Sequence, residues 1–399
     1  MGQTGLGSYF ETYLNGSLLF SDKRVLQSQY VPDTVLHRDV EINKLASVLA
    51  PSLRAERPSN LFLYGKTGSG KTVSVKYMLN ELTKMAYKRN TPLRIIYVNC
   101  KLKRVADTEY RLIAQLAREF GKAVPATGLP TEEVYRIFFS AVDSSSQLLI
   151  LVLDEIDQLV KKTGDEILYN LTRINEELRQ SQISIIGISN DLTFVDELDP
   201  RVKSSLSEEE FTFAPYNAFQ IQDILQERAR TAFVEGVVGD GVLAKCAAYA
   251  AREHGDVRRA LELLRVAGEI AERNRFKKLE LEHIDEAENK IERDRITEMV
   301  LTQPKQFQAT LYAIYSSELK KMYTGDVYDI YRSLCARIGL KPLTQRRLSD
   351  IVSELDMLGL INAKVVSKGR HGRTRVVSLP AGRAMTAKVR KLLLTALEV

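Results

Sequence analysis

LFLYGKTGSGKTVSVKYML, residues 61–79, reads as a strand, a glycine-rich turn and a helix. Leu61 to Tyr64 is a short apolar run suited to a buried strand, and from Thr72 onward Val73, Tyr77 and Leu79 are available for packing at helical spacing. Between them Gly65, Lys66, Thr67, Gly68, Ser69, Gly70, Lys71 and Thr72 match G-x-x-x-x-G-K-[ST] at every fixed position. The glycines let the backbone curl until several N–H groups converge on a phosphate, and the helix N-terminus adds partial positive charge. Lys71 is placed to reach the β- and γ-phosphates, and the Thr72 hydroxyl to bind Mg²⁺. The stretch therefore predicts a site for ATP or ADP with Mg²⁺.

Further along, Arg94 to Asn99 and Leu148 to Leu153 read as a second and a third strand, the latter running into Asp154, Glu155, Ile156 and Asp157. A carboxylate at a strand end beside a phosphate loop can hold Mg²⁺, and the next can polarise the attacking water; these roles fall to Asp154 and Glu155. Asp157 is left to solvate the start of a helix. Ile183 to Ser189 gives another buried strand ending at Asn190, which is either a turn former or a side-chain amide that orients a water near the γ-phosphate. Glu210 to Phe213 is a last strand. Strands alternating with helices imply an α/β fold whose parallel sheet is covered on both faces and carries its ligand residues at the strand ends.

On the other side of the loop, residues 1–29 lack periodicity and read as a tail, with Leu18, Leu19 and Phe20 able to dock on the body. Tyr30, Val31 and Pro32 lead through Arg38 into a helix bearing Ile42, Leu45, Val48 and Leu49. The core thus covers 30–214. Residues 215–300 read as a helical second domain, in which Arg258 is either solvated or aimed back at the nucleotide. From 301 to 399 come helices and two β-like runs joined by Ser367, Lys368, Gly369, Arg370, His371, Gly372 and Arg373, the pattern of a winged helix with a basic hairpin tip. In its third helix Leu348, Ile351, Val352 and Leu355 form a buried face, so Thr344, Gln345, Arg346 and Arg347 are free to meet base edges while Lys368, Arg370, His371 and Arg373 contact the DNA backbone or minor groove.

Charge agrees with this division. The chain of 399 residues carries a net +6, yet residues 301–399 hold 17 Lys and Arg against 7 Asp and Glu. Basic character belongs to the last quarter, which points to a polyanion partner there. No apolar run approaches the roughly 18 residues of a membrane helix, and no secretory signal pattern opens the sequence, so a cytoplasmic, nucleoid-associated protein is expected. Cys100, Cys246 and Cys335 are widely separated and form no C-x-x-C pair, and the four histidines form no H-E-x-x-H pair. They suggest neither disulfides nor a zinc site.

Taken together, the phosphate loop, YVPDTVLHRD, LVLDEIDQL, LDPRVKSSL, HGDVRRALELL and LTQRRLSDIVSELDMLGLI resemble the archaeal origin-recognition and helicase-loader initiators within the AAA+ ATPases, over about residues 18 to 390. The resemblance implies an AAA+ core, a helical lid and a C-terminal winged helix. It further implies Val31, Pro32 and Arg38 near base and ribose, Tyr216 and Arg228 as lid contacts, and Asn190 and Arg258 as first and second sensors. Arg201 matches an arginine finger acting in trans, and an insertion within Lys101 to Tyr135 is implied to touch DNA. The implied function is a replication initiator that binds double-stranded origin DNA beside paralogous subunits and uses its ATP or ADP state to control recruitment of the replicative helicase, with slow hydrolysis as a switch. Alternatives are a branch-migration or clamp-loading motor, and a nucleotide-gated transcription regulator.

Overall fold

The computed structural model describes residues 19–398 apart from 102–106, 126, 207, 254, 318–320, 368–372 and 380–382. Contacts divide the chain into two units, Met1–Ile284 and Asp285–Val399.

In the first unit the chain forms α1 (Asp39–Leu49), β1 (Leu61–Gly65), α2 (Lys71–Arg89), β2 (Leu93–Asn99), α3 (Glu109–Glu119), α4 (Thr131–Val142) and β3 (Leu148–Asp154). There follow α5 (Ile156–Thr163), α6 (Glu166–Arg173), β4 (Gln182–Ser189), α7 (Pro200–Leu206) and β5 (Glu209–Phe213). The strands pair in the order β2-β3-β4-β1-β5, all parallel. Strand β3 is buried along its whole length because each face of the sheet has its own core. Leu149, Leu151 and Leu153 join Phe62 and the apolar faces of α3 and α4, while Ile150 and Val152 join Leu61, Leu63 and Val75 under α1 and α2. That period of two leaves only the strand ends free for chemistry.

Helix α2 buries Ser74, Val75, Leu79, Leu82 and Ala86. Its Val73 and Tyr77, expected at the core, are only half-buried, since that core face begins one residue later. Helices α8 (Ala218–Ala232), α9 (Val242–Arg252) and α10 (Val257–Arg273) then build the lid. Asn217 caps α8 by accepting from the backbone N–H of Gln220, whose side chain accepts in return from the Asn217 backbone N–H.

Part of the expected tail is docked on this lid. The backbone N–H of Ser21 donates to the Ala232 carbonyl at 2.8 Å and that of Val234 to the Leu19 carbonyl at 3.0 Å. Phe20 stacks on Phe233 with ring centroids 4.6 Å apart, and it lies so close to α10 that a Cβ on Gly268 would come within 2.4 Å of its ring. Lys23 Nζ is 2.6 Å from Glu272 Oε2. Farther along, His37 meets Asp223 of α8 at 3.0 Å. Residues 19–37 thus form a strap across the lid, with Leu19 and Phe20 docked as expected and Leu18 outside the described residues; the rest of the strap lacks periodicity because its order comes from the surface it lies on.

The second unit begins within α11 (Leu281–Leu301) and continues with α12 (Lys305–Ser316), β6 (Met322–Tyr323), α13 (Thr324–Arg337), α14 (Gln345–Met357), β7 (Asn362–Ser367), β8 (Arg373–Ser378) and α15 (Arg383–Leu397). Its antiparallel sheet has the order β6-β8-β7, which with the preceding helices makes a winged helix. Leu348, Ile351, Val352 and Leu355 are all buried there. Helix α15 was not anticipated, although Val389, Leu393 and Leu397, spaced by four, are its buried face.

Candidate functional site

A cleft with roughly 890 Å³ of free space, mouth included, lies between the phosphate loop, the strap and the lid, all within the first unit. Its lining of loop backbone, cationic side chains and apolar residues suits a nucleotide. Tyr30, Val31 and Pro32 wall one side, Gly68 to Thr72 form the floor, and Ile224, Arg228, Arg258 and Leu261 face them from α8 and α10. Gly68 and Gly70 hold φ of 76° and 91°, left-handed values that a side chain rarely adopts. They also have no room for one: a Cβ on Gly68 would stand 2.0 Å from Asp256 Oδ1, and on Gly70 2.5 Å from the Tyr216 hydroxyl.

Lys71 is 4% exposed. Its ammonium donates to the carbonyls of Gly65 at 2.7 Å and Lys66 at 3.0 Å and to Asn190 Oδ1 at 3.0 Å. Burial, with repulsion from Arg258, pulls its pKa down to about 8 against the opposing carboxylates of Asp154, Asp157 and Glu155. Arg228 is 8% exposed and its Nε and Nη1 have no hydrogen-bond partner; its guanidinium lies 4.6 Å from the centroid of the Tyr30 ring. Burial lowers its pKa, opposed by Glu227 and Tyr30. A buried cation with unmet donors facing a glycine-floored cleft fits an anionic ligand with phosphates.

At the strand ends, Thr72 Oγ1 donates to Asp154 Oδ2 at 3.1 Å, the Tyr97 hydroxyl donates to that same oxygen, and the Glu155 backbone N–H donates to Asp154 Oδ1 at 3.0 Å. Thr72 and Asp154 are hard oxygen donors side by side, a set that fits Mg²⁺. Glu155 has a left-handed φ of 56° at the start of α5, and its carboxylate is 3.6 Å from Lys101 Nζ. The structure gathers Lys71, Thr72, Asp154 and Asn190 into this one cluster; Arg258 faces the same cleft.

Other expected residues sit elsewhere. Arg38 is buried outside the cleft lining, donating to the carbonyls of Ser69 at 3.0 Å and Ala214, and stacked 3.9 Å from the Tyr216 ring centroid. It braces the loop from behind. Thr67 is exposed, and Gly65 contributes its carbonyl to Lys71. Arg201 is exposed at the start of α7, paired with Asp199 through Nη2 at 3.0 Å. It is not among the cleft-lining residues.

Sequence reasoning passed over two residues here, and gave a third a different role. Tyr97, the lone hydroxyl in the apolar strand RIIYVN, touches Asp154. Lys76, one turn into α2, lines the cleft and lies 4.7 Å from the Tyr97 ring centroid. Asp157, expected to solvate a helix start, is instead 3% exposed. It accepts from Ser189 Oγ at 3.1 Å and Gln158 Nε2 at 2.8 Å, because α5 turns it inward against the end of β4.

In the second unit Thr344 caps α14, accepting from the Arg347 backbone N–H at 3.4 Å. Thr344, Gln345, Arg346 and Arg347 are all exposed. Arg347 is drawn to Asp350 at 3.8 Å and Glu354 at 3.7 Å on its own helix, whereas Arg346 has no carboxylate partner among the described residues. Arg375 of β8 donates to Ser349 O at 2.7 Å and Oγ at 3.0 Å, tying the wing to α14. Lys368, Arg370 and His371 lie outside the described residues, as does the side chain of Arg373 on β8.

Fold and cleft together define a P-loop protein of the AAA+ ATPase class with a helical lid and a winged helix. Family models agree: an AAA domain matches residues 54–193, a Cdc6 AAA+ ATPase-type lid domain 222–289, and a CDC6 C-terminal winged helix domain 298–388. The chain is 54% identical over 387 residues to the ORC1-type DNA replication protein of Thermococcus onnurineus, covering 95% of this chain and 92% of that one. It is 51% identical to ORC1-type DNA replication protein 1 of Methanosarcina mazei, covering 96% and 93%. The solved Aeropyrum pernix ORC1 protein in complex with DNA superposes with a TM-score of 0.85 at 46% identity over 95% of this chain and 97% of that one. The chain belongs to the ORC1-type DNA replication proteins.

Proposed function

We propose that this initiator binds double-stranded origin DNA through its winged helix and uses ATP and ADP states as a switch for recruiting the replicative helicase. The observation that carries the nucleotide half is the glycine-floored cleft faced by Lys71, Arg228 and Arg258. For the DNA half it is the exposed N-terminal end of α14, bearing an Arg346 with no carboxylate partner among the described residues, above a fully buried face. The Aeropyrum pernix relative was solved with DNA. We assign the core to 30–214, the lid to 215–300 and the DNA-binding domain to 301–399.

Hydrolysis is water attack on the γ-phosphate, with Glu155 polarising the water, Asn190 orienting it, and Lys71 and Arg258 neutralising the growing charge. Thr72 and Asp154 hold Mg²⁺, which neutralises phosphate charge when bound. Turnover is slow in the isolated chain because Arg201 serves the nucleotide of a neighbouring paralogous subunit. Val31 and Pro32 flank the base, with Tyr216 closing behind the loop.

The test is recovery of sheared genomic DNA from the protein's own source by the purified chain with ATP and with ADP, followed by sequencing. Recovery at a few loci sharing a repeated element is expected, and a helicase pull-down that differs between the two nucleotides. Recovery without sequence preference, or spread over promoters, overturns the reading.

A further inference from the structure

We infer that the Tyr97 hydroxyl is a positioning group for the magnesium-binding carboxylate of Asp154, an inference that rests on the nucleotide reading above. Asp154 is held by three donors from three parts of the chain: Thr72 Oγ1 on α2, Tyr97 Oη on β2 and the Glu155 backbone N–H after β3. Both hydroxyls reach the same oxygen, Oδ2, and the backbone N–H takes Oδ1. A carboxylate gripped at both oxygens cannot swing, so its orientation is set before any cation arrives.

The parallel register explains why β2 can supply this donor. Tyr97 lies opposite Val152 and Asn99 opposite Asp154, so Tyr97 is two residues short of the acid on the neighbouring strand. Residues two apart share a face of the sheet, and the length of a phenol spans the remaining rise. A shorter hydroxyl at that position could not reach. Asn99, which lies directly opposite the acid, is turned aside: its Oδ1 accepts the Lys101 backbone N–H at 3.0 Å.

The ring has a second contact that separates the hydroxyl from the bulk. Lys76 Nζ stands 4.7 Å from its centroid and lines the cleft. Phenylalanine keeps that contact and the packing, and removes only the donor to Asp154. Leucine removes both.

The experiment titrates a fluorescent ADP analogue into wild type, Tyr97→Phe and Tyr97→Leu across a series of Mg²⁺ concentrations and in EDTA. Partners of metal ligands typically contribute about tenfold or more to metal affinity. Tyr97→Phe should therefore raise the half-saturating Mg²⁺ concentration by about tenfold, with affinity in EDTA within about twofold of wild type. Tyr97→Leu should in addition weaken binding in EDTA, since Lys76 loses its platform. Unchanged Mg²⁺ midpoints in Tyr97→Phe, or equal losses with and without Mg²⁺, overturn the assignment and leave Tyr97 as packing. A wild type whose binding ignores Mg²⁺ overturns the magnesium reading itself, and this inference with it.

Discussion

The ammonium of Lys71 donates to Oδ1 of Asn190 across 3.0 Å, so the loop after β1 and the end of β4 meet at one polar contact. A phosphate that claims Lys71 loosens Asn190, which makes the asparagine a reporter of what the lysine holds. Asn190→Ala should leave ADP affinity within about threefold and cut ATP turnover by about a hundredfold, the scale of losing one aligned polar group. Equal loss of both, measured by titration and phosphate release, would make Asn190 a brace for the loop.

Lys71 also makes a prediction about pH. Its folded pKa of about 8 lies below the ordinary lysine value of 10.5. Between those values the unfolded chain binds more protons, so stability of the nucleotide-free protein rises with pH across that window. Below about pH 8 the folded chain carries the full cost of the buried charge. Lys71→Met should raise nucleotide-free stability at pH 7 by about 1 to 3 kcal/mol and remove this part of the pH dependence, while abolishing nucleotide binding. Urea melts of both proteins at pH 7 and 9.5 provide the check.

Arg228 carries unmet donors in a buried position. Arg228→Met keeps the length of the side chain and discards the charge, so nucleotide-free stability should hold or rise by about 1 kcal/mol. ADP affinity should fall about tenfold. A large loss of stability instead would show that the guanidinium is serving the protein rather than the ligand.

Gly68 tests how closely lid and loop fit. Alanine there meets both an unfavourable φ and Asp256, whose Cα is only 2.7 Å from the added methyl. Because backbone atoms cannot yield, Gly68→Ala should displace the start of α10. Nucleotide dissociation should accelerate by about tenfold or more, for a stability loss of about 1 to 3 kcal/mol. Stopped-flow release of a fluorescent ADP would reveal it.

On α14, Arg346 and Arg347 should behave differently although they adjoin. Arg346→Ala should cost about 1 to 3 kcal/mol on a specific site and relax its sequence preference. Arg347→Ala should cost less, since Asp350 and Glu354 already share its charge. Binding to specific and scrambled duplexes at two salt concentrations separates them; uniform loss from Arg346→Ala would mark it as a phosphate contact.

The phosphate loop and the central strands were legible because their signals are local: glycines at fixed spacing, and apolar runs that end in acids. The buried face of α14 followed from helical period in the same way. Tyr97 was not legible, since its partner Asp154 is far along the chain and only the β2–β3 register joins them. The burial of Asp157 likewise depends on Ser189 arriving from another strand. Arg38 was placed at the nucleotide by resemblance, and its site behind the loop is set by Ser69, Ala214 and Tyr216, three partners that no spacing reveals. Of the strap, the docking of Leu19 and Phe20 was legible from their apolar side chains; the course of the rest was not, because segments ordered by another surface need no rhythm of their own.

That strap has a practical consequence. Its first part is stitched to α8 and α10 at Phe233 and Glu272, and its continuation supplies Tyr30, Val31 and Pro32 to the cleft wall. Shortening the chain to the start of the nucleotide-binding motifs therefore strips the lid of its girdle and leaves one wall of the cleft unanchored. How long ADP stays bound is consequently written partly in residues 19–26, and a truncated protein used to measure nucleotide exchange would run a faster clock than the whole one.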